Sequence, residues 1–458
     1  MRSCQKRVAR RAAIILALAA LAASTRGRAA EETLEIGFAK VDITPAEKRQ
    51  TIYHRRGQTP DGPTPVRDRL SARAVAFRGG GRTAVWVTAD LLCIDSRLRD
   101  RVVRRLAAHG IDPEAVVLCA THTHTAPTIA DFRGVERTPE EYLAQLESQL
   151  ARVSLDAVRA AEPATIAFGT SAVDLNVNRR QIGRLAQIND LGAPAGLVDN
   201  ELLVAAIRTK QSGAAGLLFS YAAHPLTMSQ GNPQISADYP GRAAAFLEAP
   251  GRAGHAQFLQ GCAGNLNIKI HGGEAEAELA GRRLAEAALA AARATRPSAS
   301  QGVNTVAEKV CLPWTIPTLA EARAALDRER ARPKPLLRNL EWAEDLCRAL
   351  ERGPAPGHAE VLVQATRVGD AVLLALPGEV FAEIGLAIKR RAGIEYLFIA
   401  AYANHGEVGY IPTAAAFAEG GYEVDSAPAY YGIFTLSPDC EKILVEAGLR
   451  GVRDAMSN

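Results

Sequence analysis

A chain of 458 residues, 48% hydrophobic and 23% charged, is long enough to bury a large core as one large domain or two to three ordinary ones. Outside its N-terminus it has no apolar run long enough to span a bilayer. The formal charge is +4, but residues 1–30 hold seven Lys/Arg and no acid, so without them it is −3, and net charge gives no argument for nucleic-acid binding.

In chain order, "MRSCQKRVARR" is basic, "AAIILALAALAA" is apolar but short, and small residues follow. That order predicts a secretory signal over 1–30 and an exported, periplasmic or secreted protein, cleaved after Ala23 or Ala30. Residues 31–458 are expected to form the functional domain. Its six cysteines, Cys93, Cys119, Cys262, Cys311, Cys347 and Cys440, permit disulfides, but none is in a CxxC pair, which disfavours a cysteine-based zinc module.

A first unit reads as βαβ: "TAVWVTADLLCI" (83–94), a basic helix at 95–110 with Leu98, Val102, Val103 and Leu106 on one face, then "AVVLCATHTHT" (115–125). Further strands are predicted at "AAGLLFSYAA", "AQFLQG", "EVLVQATRV" with "AVLLAL" across a Gly-Asp turn, and "YLFIAAYA". Helices are predicted at 138–162, 238–248, 273–295, 319–332, 336–352 and 380–391. Elements of both kinds alternate throughout, which predicts an α/β fold of mixed sheets flanked by helices. The charged, Pro-interrupted stretch within 316–357 reads as a helical insertion or lid.

The chemistry-bearing residues follow the strands: His122 and His124 after "AVVLCAT", His224 after "LLFSYAA", Glu379 after "AVLLALPG", and Tyr410 beyond "YLFIAAYANHGEVG". Ligands bind at the carboxyl ends of strands in open α/β sheets, and histidines with a carboxylate suit zinc. Each residue alone also fits a plainer role. The His-x-His pair is compatible with two surface rings on one strand face, His224 with a hydrogen-bonded core imidazole, Glu379 with a helix start, and Tyr410 with packing. Asp90 points to the same sheet edge, either as a partner of a metal-bound histidine or in a structural hydrogen bond. Asp238 is placed to cap the following helix. The glycines of "AGNLN" and "IHGGEAE" make a nest or simply loops, and without a GxGxxG or Walker signature nucleotide binding is rejected.

"ATHTHTAP" resembles the His-x-His segment of the neutral ceramidases, the non-lysosomal zinc amidases that hydrolyse ceramide. The likeness continues in order through "GFAKVDITP", "VNRRQ", "YAAHPLTM", "QGCAGNLN", "LPGE" and "GYIPTAAAFAEGGYE". The resemblance implies Zn²⁺ held by His122, His224, Glu379 and Tyr410, with His124, Arg179 and Tyr422 facing the substrate. It implies a ceramide-like lipid substrate, at most transient contact with a membrane surface, and no nucleic-acid partner. Two departures bear on the substrate. Asn267 stands where the family has a serine, so it can only position or hydrogen-bond, and the immunoglobulin-like domain that follows in the family is not expected after residue 458. The rival readings are hydrolysis of another amide or an ester on this scaffold, or a non-catalytic zinc-containing lipid or glycan binder.

Overall fold

The computed structural model describes residues 33–45, 64–135, 139–181, 184–185, 196–228, 234–432 and 434–457. The predicted signal over 1–30 lies outside them. The described elements belong to the unit Leu34–Asn458.

Runs that are apolar without interruption become strands covered on both faces, because alternate side chains point to opposite sides of a sheet. In Arg82–Ala89, Val85, Val87 and Ala89 face one core while Ala84 and Trp86 face another. Val116–Ala120 divides in the same way, Val116, Leu118 and Ala120 against Val117 and Cys119. In Ala371–Ala375, Val372 and Leu374 oppose Ala371, Leu373 and Ala375.

Two large sheets result. The first runs His255–Gln260, Ala215–Tyr221, Glu201–Thr209, Glu162–Ala172, Glu35–Asp42, Ser71–Gly79, Arg82–Ala89, Val116–Ala120. It is parallel at its two ends and antiparallel between them. The second runs Leu397–Ala400, Ala371–Ala375, His358–Val368, Val303–Thr315, Thr435–Leu436. The sheets face each other across a core containing Phe77, Trp86, Phe168, Leu373 and Phe398. Trp86 Nε1 crosses that core to donate to Thr366 Oγ1 at 3.0 Å, so the indole N–H is not buried unpaired.

Helices cover the outer faces. Ser96–Ala107 and Glu140–Arg159 lie over one half of the first sheet, Asp238–Leu247 and Glu274–Arg293 over the other, and Ala382–Ala392 with Cys440–Met456 over the second sheet. Asp95 caps the first of these, accepting from Leu98 N, and Leu98, Val102, Val103 and Leu106 are its buried stripe. The α/β class with mixed sheets and flanking helices is therefore the observed one. The described residues end in Cys440–Met456 and contain no immunoglobulin-like sandwich. The reading from sequence missed that helix and the long strands Glu35–Asp42, Ser71–Gly79, Glu162–Ala172, Glu201–Thr209 and Val303–Thr315. Over 316–357 two helices, Leu319–Arg330 and Leu337–Glu351, pack on each other through Ala322, Leu326, Ala343, Leu346 and Cys347.

The first sheet is rolled so that both of its end strands reach one short segment. Ala401 N donates to Gln260 O (2.9 Å), Ala120 N to Tyr402 O (3.2 Å) and Asn404 N to Leu118 O (2.9 Å). Strands from both sheets thus end at one place. All six cysteines of the described residues are free.

Candidate metal centre

The chain leaves Val116–Ala120 and turns at His122, whose φ of 67° is a left-handed conformation that costs an L-residue roughly 1–2 kcal/mol. The turn lets two groups of one residue find buried acceptors: His122 N donates to Leu91 O (2.9 Å), and Nδ1 lies 2.6 Å from Leu92 O. The face-to-edge approach of His122 and His124, with Nε2 atoms 3.2 Å apart, comes from this turn and not from strand alternation. The strand-face reading of the pair is corrected accordingly.

His224 leaves Ala215–Tyr221 fully buried, its Nδ1 2.6 Å from Ala263 O and its backbone bridged to Asn267. Glu379 follows Ala371–Ala375 after Gly378, which has φ 61° and whose Cβ would meet Gly409 O at 2.4 Å. Its carboxylate Oε2 lies 3.2 Å from His122 Nε2 and 3.1 Å from His224 Nε2. Since both Nδ1 atoms face carbonyl oxygens, their N–H bonds belong there, and each Nε2 presents a lone pair. Two lone pairs and a carboxylate oxygen converging at these distances repel one another, and a cation among them would offset that repulsion. Burial pushes the His224 imidazole down to about 4, so it is neutral. Burial would raise the Glu379 carboxyl, and what holds it well below the usual carboxylate range is positive charge and donated hydrogen bonds at His122 and His224, which a bound cation would supply in place of protons on Nε2. Neutral imidazole and ionised carboxylate are the states a divalent cation binds, and two nitrogens with one oxygen suit zinc. Ligand atoms of His122, His124 and His224 all lie within 4.8 Å of one another.

Tyr410 pairs with Glu379 in a short parallel ladder, and its ring lies parallel to that of His224 with centroids 6.4 Å apart. Burial, reinforced by Glu379, raises its phenol well above the ordinary value. Tyr422 packs edge-on to it at 5.8 Å, inside the π-helical turn Tyr422–Ser426. Arg179 lies over both rings at 5.4 and 5.8 Å. Its guanidinium is held on three sides: Nε donates to Glu423 Oε1 (2.8 Å), one terminal nitrogen to Gly264 O (2.7 Å) and the other to Asn267 Oδ1 (3.4 Å). The ladder between Asn176–Asn178 and Leu266–Ile268 sets these partners side by side. His124, beside two other imidazoles, is kept well below its ordinary pKa by burial and by those neighbours.

The structure therefore brings His122, His124, His224 and Glu379 to one point, with Tyr410, Tyr422, Arg179 and Asn267 around it. Asp90 is elsewhere occupied: it accepts from Ser71 N at 2.8 Å and from Arg73, while Leu92 O takes the Nδ1 of His122, so only its structural role holds. Asp238 is not the cap. The N-cap is Ala237, and Asp238, at φ 51°, is the first helical residue, its carboxylate accepting from Thr227, Met228 N and Tyr239 N. Gly264 makes close approach rather than a nest, since a Cβ there would lie 2.4 Å from Glu379 O.

Three residues went unread. Glu423 clamps both Arg179 and Arg180, Tyr431 hydrogen-bonds Glu379 Oε1, and the Tyr402 ring lies 4.2 Å from that of His122. Only Glu423 carried a signal, as the neighbour of Tyr422 in "GGYE". Beside Tyr410 lies a small hollow, with room for about one water molecule, its walls including Val408, Pro412, Phe417, Pro428, Phe434 and Leu436.

The chain is similar in fold to the crystal structure of neutral ceramidase from Pseudomonas aeruginosa, with a TM-score of 0.71 and 20% identity over 92% of this chain and 74% of that one. A ceramidase solved in complex with C2 gives the same TM-score and identity, over 92% and 75%. The model of the neutral/alkaline non-lysosomal ceramidase N-terminal family matches residues 34–267, a stretch that holds His122, His124, Arg179, His224 and Asn267. Glu379, Tyr410 and Tyr422 lie beyond that match and join the site through the fold. With half of its length matched by the family model, the chain belongs to the neutral/alkaline non-lysosomal ceramidase family.

Proposed function

We propose that the protein is an exported, zinc-dependent amidohydrolase that cleaves the amide of an N-acylated sphingoid base. The observation that carries this reading is the meeting of His122 Nε2 and His224 Nε2 at Glu379 Oε2, with a histidine, an arginine and two tyrosines in reach. His122, His224, Glu379 and Tyr410 would hold zinc, which when bound supplies a Lewis acid and lowers the pKa of water toward ~7.

The rest of the chemistry belongs to side chains. His124, neutral near pH 7, takes the proton of the attacking water as its oxygen bonds to the amide carbon. The same imidazole then gives that proton to the nitrogen as the C–N bond breaks, so the product leaves as an amine. Arg179, fixed by Glu423 and Gly264, keeps its charge beside the carbonyl oxygen as negative charge develops there, and Tyr422 adds a phenolic donor. Asn267 has no nucleophile to offer, and its Oδ1 orients Arg179. No helix of the described residues is long and apolar enough to cross a membrane.

Asn267 in place of a serine favours a second reading, hydrolysis of another amide or an ester on the same scaffold. Elemental mass spectrometry of the purified protein beside His224→Ala tests the metal, and a panel of ceramides, N-acyl amino acids and acyl esters tests the substrate. One zinc per chain, little in the variant and turnover of ceramide support the proposal. Zinc with turnover of the other substrates alone selects the second reading, and zinc without turnover of any selects a binding protein.

A further inference from the structure

Glu379 has two carboxylate oxygens, and the structure uses them differently. Oε2 faces both imidazole Nε2 atoms, whereas Oε1 accepts the hydroxyl of Tyr431. The terminal torsion of a glutamate is broad and nearly two-fold, so an unrestrained carboxylate rotates freely between presenting one oxygen and presenting two. Backbone bonds do not fix that torsion: Glu379 N to Gly409 O (2.8 Å) and Gly264 N to Val380 O (2.8 Å) hold only the main chain.

We propose that Tyr431 is a positioning residue which pins the Glu379 carboxylate so that it offers one oxygen, and only one, to the metal. This rests on the zinc reading above. The Tyr431 ring meets Phe132 and Tyr410, and its hydroxyl acts on the site through Glu379.

The phenol is itself held rigidly. Its ring packs edge-on to Phe132 at 5.0 Å and across the backbone of Gly409, where a Cβ would come within 2.8 Å of the ring. The preceding residue is gripped on both sides: Tyr430 O accepts from Arg133 N (2.9 Å), and the Tyr430 hydroxyl accepts from Arg338 (2.5 Å). A hydrogen bond from a locked donor to the outer oxygen of a ligand carboxylate is the arrangement by which protein surroundings tune a metal, and its loss typically costs 10–100-fold in metal affinity.

The test uses metal-stripped parent and Tyr431→Phe, which keeps the ring and removes the hydroxyl. Zinc affinity is measured by competition with a chromogenic chelator, the ligand field by the visible absorption of the Co²⁺-loaded proteins, and the metal-free fold by thermal unfolding. The expected result is zinc affinity about 10–100-fold weaker and a changed Co²⁺ band, with metal-free unfolding midpoints that agree. Equal affinities and identical Co²⁺ spectra would overturn the role of Tyr431 while leaving the zinc reading intact. Loss of the metal-free fold in Tyr431→Phe would make Tyr431 a structural residue and also overturn it. Absence of zinc from the parent would remove both proposals together.

Discussion

At the scale of single residues the site depends on close approach. Gly264 carries the carbonyl that holds Arg179 and lies against the backbone of the Glu379 strand, where an added Cβ would sit 2.4 Å from Glu379 O and 2.9 Å from Val380 O. Backbone atoms in a ladder cannot swing aside as a flexible side chain can, so Gly264→Ala must displace Glu379 or Arg179. We expect a loss of about 1–3 kcal/mol in urea unfolding, together with zinc binding well below one per chain. Gly254→Ala is the control, because its Cβ meets Ala215 O at an ordinary 3.4 Å. If both variants unfold like the parent and bind zinc equally, close packing at Gly264 does not govern the site. His122, His224 and Glu379 were legible in the sequence because each follows a run apolar on both faces, where a polar group is conspicuous. Tyr431 and Glu423 were not, since 414–432 folds into short helical turns whose spacing carries no period.

At the scale of elements, the most uninterrupted apolar runs were readable; Ser71–Gly79 and Glu201–Thr209 were not, although both are buried on both faces, and neither was Val303–Thr315, which has a partly exposed face. Val303–Thr315 carries Glu308 and Lys309 in its middle, and Lys309 finds its partner Glu360 only across the ladder with His358–Val368. Nothing local marks such a strand. The hairpin of Leu319–Arg330 and Leu337–Glu351 was legible as helices, but not its place. It grips the loop after His124 and the turn that holds Tyr431, through Arg133 with Asp345, Gly134 N with Glu341 (3.2 Å), and Arg338 stacked on Tyr430 at 4.2 Å. These contacts are partly exposed and each contributes on the order of 1 kcal/mol or less. The double variant Arg133→Leu, Arg338→Leu should therefore leave the global unfolding midpoint nearly unchanged. It should instead speed amide hydrogen exchange several-fold in 126–135 and 428–432, read by mass spectrometry. Unchanged exchange in those segments would show that the hairpin does not brace the rim.

At the scale of the molecule, the α/β class followed from alternating elements, but the rolling of the first sheet depends on antiparallel pairings between distant strands that no local pattern records. That rolling brings the two end strands together, with the candidate metal centre at the carboxyl ends. Away from them, a buried ionic cluster ties the same halves: Arg73 on Ser71–Gly79 pairs with Glu248 (3.1 Å) and Asp90 (3.4 Å), and Glu248 accepts from Ala256 N beside His255. Burial, with Arg73 nearby, pushes the His255 imidazole down to about 4, against about 6.5 in an unfolded chain. Between those values the unfolded chain binds the proton and the folded one does not. The contribution is therefore complete above pH 6.5 and is lost as the pH falls toward 4. Burial would raise Glu248, but Arg73 and Lys40 bring it to about 2, so its contribution is complete above about 4.5 and is lost only below that. Two successive acid windows are expected, the first owed in part to His255. In zinc-loaded protein, His255→Gln should flatten the fall in stability between pH 6.5 and 4 by up to about 3 kcal/mol, leaving the fall below pH 4 in place. Chemical unfolding at half-unit pH steps measures both curves. If they run parallel from about pH 7 to 4, His255 does not take up the proton, and the acid sensitivity of the seam has another source.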